Sequence, residues 1–75
     1  GTKAEFILFL GYSKGSCGEL RSQLYRALDR KYINKEQFQE LYLLAVRISV
    51  MLQKFINYLL QSQVKGLRKK NPETA

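Results

Sequence analysis

The basic residues carry the chemistry that this sequence offers most plainly. Arg47, Lys54 and Lys65 recur at spacings close to whole helical turns and so line up along one side of a helix. Lys3, Lys14 and Arg21 do the same in the first half of the chain, Arg26 and Arg30 share another flank, and Arg68, Lys69 and Lys70 follow near the end. Distributed cations of this kind neutralise phosphates without reading sequence, which gives binding that weakens steeply with salt. Lys14, Arg21, Arg47, Lys54, Lys65, Arg68, Lys69 and Lys70 are therefore the candidate nucleic-acid contacts. An acidic protein surface, or simple solvation, accounts for the same charges less specifically. Tyr12, Tyr32 and Tyr58 could stack on bases, although aromatics at helical spacing more often belong to a core.

Catalytic chemistry finds little support. The chain has no His, and its single Cys17 stands among Ser13, Leu20 and Leu24 on an apolar stripe, where a small buried thiol is expected and a reactive thiolate is not. Glu5, Glu19, Asp29, Glu36 and Glu40 are dispersed. Gly11, Gly15 and Gly18 sit inside helical periodicity and follow no strand, so they form no phosphate-binding loop. One Cys and no His also exclude a disulfide and a zinc cluster. No catalytic residue, metal or cofactor is expected, and the protein reads as a non-enzyme.

These side chains must be held by very little protein. The chain has 75 residues with 13 Lys plus Arg against 6 Asp plus Glu, a formal charge of +7. A domain of this size buries only about 60% of the surface its unfolded chain exposes, so association is the device left to stabilise it. The stretch from Leu41 to Leu60 is apolar but carries Arg47 and Lys54, each costing about 2.5 to 3.5 kcal/mol at a bilayer centre. A soluble helix, no membrane and a reducing cytoplasm are expected.

Two helices account for the pattern. Thr2 with Glu5 fits a capping box at the first start, and Asn34 with Gln37 fits a second. Phe6, Leu10, Ser13, Cys17, Leu20, Leu24 and Ala27 form one stripe; Phe38, Leu41, Ala45, Ile48, Leu52, Phe55 and Leu59 form the other. Helices over about 3–30 and 35–65 are expected, joined by a turn at 31–34, with Gly66 as a stop and 67–75 as a flexible basic tail. The short turn makes the pair antiparallel, crossing near +20°. The second helix is apolar well beyond its stripe: Leu44, Met51 and Tyr58 flank it, and Leu43, Val46 and Val50 lie nearly opposite. Gly11, Gly15 and Gly18 line a sector of the first helix away from its stripe. These six, the three glycines with Leu43, Val46 and Val50, are the candidate oligomer interface.

The stretch from Lys14 to Phe38, KGSCGELRSQLYRALDRKYINKEQF, and RISVMLQKFINYLLQS from Arg47 to Ser62 resemble the bacterial four-helix bundle proteins named for 23S rRNA intervening sequences. The family includes the accessory variability determinants of diversity-generating retroelements. The resemblance runs through Glu5, Phe6, Phe9, Leu10, Lys14, Gly15, Ser16, Glu19, Leu20, Gln23, Leu24, Ala27, Leu28, Tyr32 and Ile33, and later Ile48, Ser49, Met51 and Leu52. Lys31 departs from the pattern, standing where Gly commonly precedes the Tyr-Ile pair. The resemblance implies an all-α fold in which this antiparallel hairpin is half of an up-and-down four-helix bundle, completed by another chain or by N-terminal helices. It also implies a non-enzymatic homo-oligomer whose partners are RNA or DNA, or a reverse transcriptase or other nucleic-acid-bound protein. The alternative is a purely structural assembly module.

Overall fold

The Thr2 hydroxyl accepts a hydrogen bond from the Glu5 amide at 3.1 Å and starts the first helix, α1, Lys3–Asp29. This is the hydroxyl half of the expected capping box. The second start is complete: the Gln37 amide donates to Asn34 Oδ1 at 2.7 Å, and the Asn34 amide donates to Gln37 Oε1 at 2.9 Å. Two orphan donors are thereby satisfied at the head of α2, Lys35–Lys70. The computed structural model describes residues 1–70, with side chains described as far as Ser62 and at Val64. α2 runs through Gly66, past the end near 65 that the sequence suggested. Glycine weakens a helix by about 1 kcal/mol but does not bar it, and the residues that follow it are good helix formers. The 71–75 part of the expected tail lies outside the described residues.

Between the helices the backbone wraps back on itself. Lys31 donates to the Leu28 carbonyl and Tyr32 to the Ala27 carbonyl, at 3.0 and 2.9 Å. This pair of bonds is a Schellman motif, and Lys31 takes the left-handed position with φ of 61°. The chain then reverses, and α2 packs antiparallel along α1. The fold is all-α among the described residues, a helical hairpin one helix thick, with extents of 63 × 19 × 13 Å.

The helices meet along Leu10, Leu24 and Ala45, the buried core among the described residues. Half-buried Ile7, Cys17 and Leu28 extend the α1 side; Phe38, Tyr42, Ser49, Leu52, Ile56 and Leu59 extend the α2 side. The expected stripes are thus split. Phe38, Ala45, Leu52 and Leu59 face α1 as the spacing predicts, but Leu41, Ile48 and Phe55 remain 43%, 39% and 44% exposed, and Leu20 is also exposed. The reason is geometric. Each stripe is centred to one side of the seam, so the single neighbouring helix covers only its near half.

Two differently built sides result. On one, Tyr25 packs against Phe38 and Tyr42 with ring centroids 4.9 and 5.7 Å apart, near the glycine line. On the other, Phe6 meets Phe55 edge-on at 5.6 Å. Helical spacing places Phe9 and Leu20 on this second side of α1, and Leu41, Leu44, Ile48, Met51 and Tyr58 on that of α2. All of these are exposed, Met51 at 67% and Tyr58 at 66%. An apolar ridge of this extent is far beyond scattered surface residues.

Candidate nucleic-acid interface

The candidate basic residues divide according to where the helix faces carry them. Lys14 Nζ donates to Gln53 Oε1 at 2.7 Å, and Arg21 Nη1 donates to Ser49 Oγ at 3.0 Å. Both lie in the middle of α1 beside the seam, within reach of α2, so their heads cross-link the helices. Lys3 does the same farther along, donating to Ser62 Oγ at 3.1 Å. Arg47 and Lys54 are exposed on the outer side of α2, opposite α1. Lys65, Arg68, Lys69 and Lys70 lie on the last turns of α2, outside the residues whose side chains are described.

The turn end gathers Arg26 and Arg30, which spacing already places on one flank, with Tyr32. Gln23, Arg26, Ala27, Arg30 and Tyr32 line a shallow open groove that contains no carboxylate. Arg26 and Arg30 are one helical turn apart, and the Tyr32-to-Ala27 backbone bond folds Tyr32 back beside them. Lys31 and Lys35 are exposed nearby, as are Asp29 and Glu36. Two guanidinium groups and a tyrosine ring can hold a phosphodiester oxygen and stack on a base. The sequence pairs Arg26 with Arg30 and offers Tyr32 for stacking, but does not bring the three together, because Lys31 occupies the position where Gly would have announced the Schellman wrap.

The other candidates are placed as follows. Gly11 and Gly15 have open space where a Cβ would stand, and Gly18 would meet only the Arg21 guanidinium at 3.8 Å. Leu43 and Val50 are exposed and Val46 half-buried, and helical spacing sets Val46 and Val50 on the same side of the hairpin as the glycines. Cys17 is free and half-buried. Among the described residues no cluster of three or more His, Cys, Asp or Glu could hold a metal ion. By length and composition Lys35–Ser62 is apolar enough to cross a membrane; Arg47 and Lys54 stand within it.

Two antiparallel helices with a broad exposed apolar side and cations on the outer surface and the turn make this, among the described residues, an all-helical hairpin protein. The chain belongs to the 23S rRNA-intervening sequence protein family, whose sequence model matches residues 1–54. Neither curated proteins nor solved structures give a match to it.

Proposed function

We propose that this protein is a non-enzymatic, oligomeric helical-bundle protein that engages RNA or DNA, or a protein bound to them, through its basic outer surfaces. The observation that carries the reading is the carboxylate-free groove of Arg26, Arg30 and Tyr32 on a chain of formal charge +7. Arg47 and Lys54 extend the basic surface along α2, and Lys65, Arg68, Lys69 and Lys70 continue its sequence. Contacts of this type grip phosphates and leave base sequence unread. Lys14 and Arg21 are assigned to joining the helices, because their heads are engaged across the seam. The test is Arg30→Glu combined with Lys54→Glu, which weakens binding to generic single-stranded RNA and DNA while helicity is unchanged. Undiminished binding would contradict the assignment.

The second reading is a structural assembly module in which burial alone matters. The exposed ridge and the cross-helix use of Lys3, Lys14 and Arg21 favour it. On that reading the same double variant assembles normally and no nucleic acid binds either form.

A further inference from the structure

The groove at the turn is built differently from the rest of the basic surface. Along the outer side of α2, Arg47 and Lys54 offer positive charge alone. In the groove an uncharged amide, Gln23, and a tyrosine ring, Tyr32, 74% exposed, stand beside Arg26 and Arg30. Gln23, Ala27 and Arg30 fall on successive turns of one flank of α1, and the stretch from Gln23 to Arg30 spans about 10 Å. Small, half-buried Ala27 forms the floor between the longer side chains. Other glutamines are engaged inside the hairpin: Gln37 accepts from the Asn34 amide, and Gln53 accepts from Lys14 and donates to Asn57. Gln23 instead lines the groove.

We propose that this groove holds a single unpaired nucleotide and that Gln23 reads its base, with adenine preferred. The proposal rests on the nucleic-acid part of the reading above and goes beyond its phosphate contacts, which leave base sequence unread.

Stacking sets the first requirement. A tyrosine ring stacks only on a base whose face is free, so the exposed Tyr32 suits a single strand or a looped-out base and not a base paired inside a duplex. Arg26 and Arg30 supply donors for phosphate oxygens, and no carboxylate in the groove competes for them. A base lying over Ala27 with its face toward Tyr32 turns an edge toward Gln23. The glutamine amide carries a donor and an acceptor side by side, which matches adenine at N7 and N6. Guanine presents two acceptors on that edge, O6 and N7, and meets only half of the amide. Pyrimidines cover less of the ring. Under a packed apolar helix, two guanidinium groups and an amide would lose hydration without gaining partners, so the groove faces solvent whatever covers the apolar ridge.

The experiment is fluorescence anisotropy of labelled short oligonucleotides titrated with the 75-residue chain. The strands are of A, C or U alone, of alternating G and U, and the A·U duplex, with the single strands also made as DNA. The A strand binds roughly tenfold tighter than the C and U strands, in both RNA and DNA form, and tighter than the duplex. Gln23→Ala brings the A affinity down to that of U and leaves U binding and its salt slope unchanged. Gln23 is exposed on α1 and alanine favours a helix, so that loss of preference does not come from unfolding. Tyr32→Leu weakens every single strand roughly tenfold, while Tyr32→Phe, which keeps the ring, retains the original affinities. Equal affinity for A, C and U overturns the proposal, as does preference for the alternating G and U strand or an A preference that survives Gln23→Ala. Duplex binding as tight as that of the single strand also overturns it. Any of these outcomes with a salt-dependent affinity leaves the broader nucleic-acid reading standing, whereas no binding to any strand at low salt overturns both.

Discussion

The backbone N–H of Tyr32 donates to the Ala27 carbonyl at 2.9 Å, and the bond holds Lys31 between them at a φ of 61°. A left-handed residue with a Cβ costs about 1 to 2 kcal/mol, whereas glycine adopts the position freely. Replacing Lys31→Gly removes that strain and loosens the unfolded chain, which offsets part of the gain. The expected net effect is stabilisation by about 0.5 to 1 kcal/mol, read as a higher urea midpoint at fixed protein concentration. A lower midpoint would mean that the Lys31 side chain contributes a contact that outweighs the strain.

The glycine line makes a second prediction. Nothing lies within 4 Å of a Cβ built at Gly11 or Gly15. Ser13 and Ser16 hydroxyls bond back to the Phe9 and Tyr12 carbonyls in the same stretch, a competition that slightly weakens a helix. Gly15→Ala therefore strengthens α1, by about 0.8 to 1 kcal/mol in chemical denaturation. Destabilisation would show that another backbone packs there in solution.

Asn34 makes the third. Its side chain and that of Gln37 satisfy each other's amides at the head of α2. Asn34→Ala costs about 1 kcal/mol, seen as a lower thermal midpoint, while Asn34→Asp retains most of it. Equal loss in both variants would mean that the cap bond is not what holds the turn.

A fourth concerns pH. Tyr42 beside Tyr25 raises the Tyr25 phenol above its ordinary 10.0, first through hydrogen bonding and then through repulsion between the two ring oxygens, with a smaller contribution from burial. An acid whose folded value is raised stabilises the fold below its unfolded value and loses that contribution as pH climbs through the folded one. The thermal midpoint should fall as pH passes above 10.0. Tyr42→Phe should flatten that slope, and an identical slope in both proteins would assign it to other groups.

How far the fold was legible from sequence follows from what is local. Thr2, Asn34 and Gln37 act on amides three residues away, so their caps and the two helices could be read directly. The rotation of each helix could not, because it depends on how many neighbours it has: Ile48 and Phe55 belong to the apolar stripe yet stay outside the seam that Ser49 and Ile56 enter. Lys14 and Arg21 read as outward cations because spacing gives a direction on the wheel but not the reach of a long side chain, which here carries each head to Gln53 and Ser49. The groove of Arg26, Arg30 and Tyr32 was obscured for a different reason. Its closure depends on a lysine in a left-handed conformation that propensity alone disfavours.

The central claim is that this charge distribution serves nucleic acid, and salt dependence tests it most directly. Affinity for a generic single-stranded RNA or DNA should fall linearly with the logarithm of salt concentration, each engaged phosphate contact contributing about −0.7 to the slope. Arg30→Glu and Lys54→Glu should each make the slope shallower by roughly that amount. Absence of binding at low salt, or binding with a slope near zero, would contradict the account.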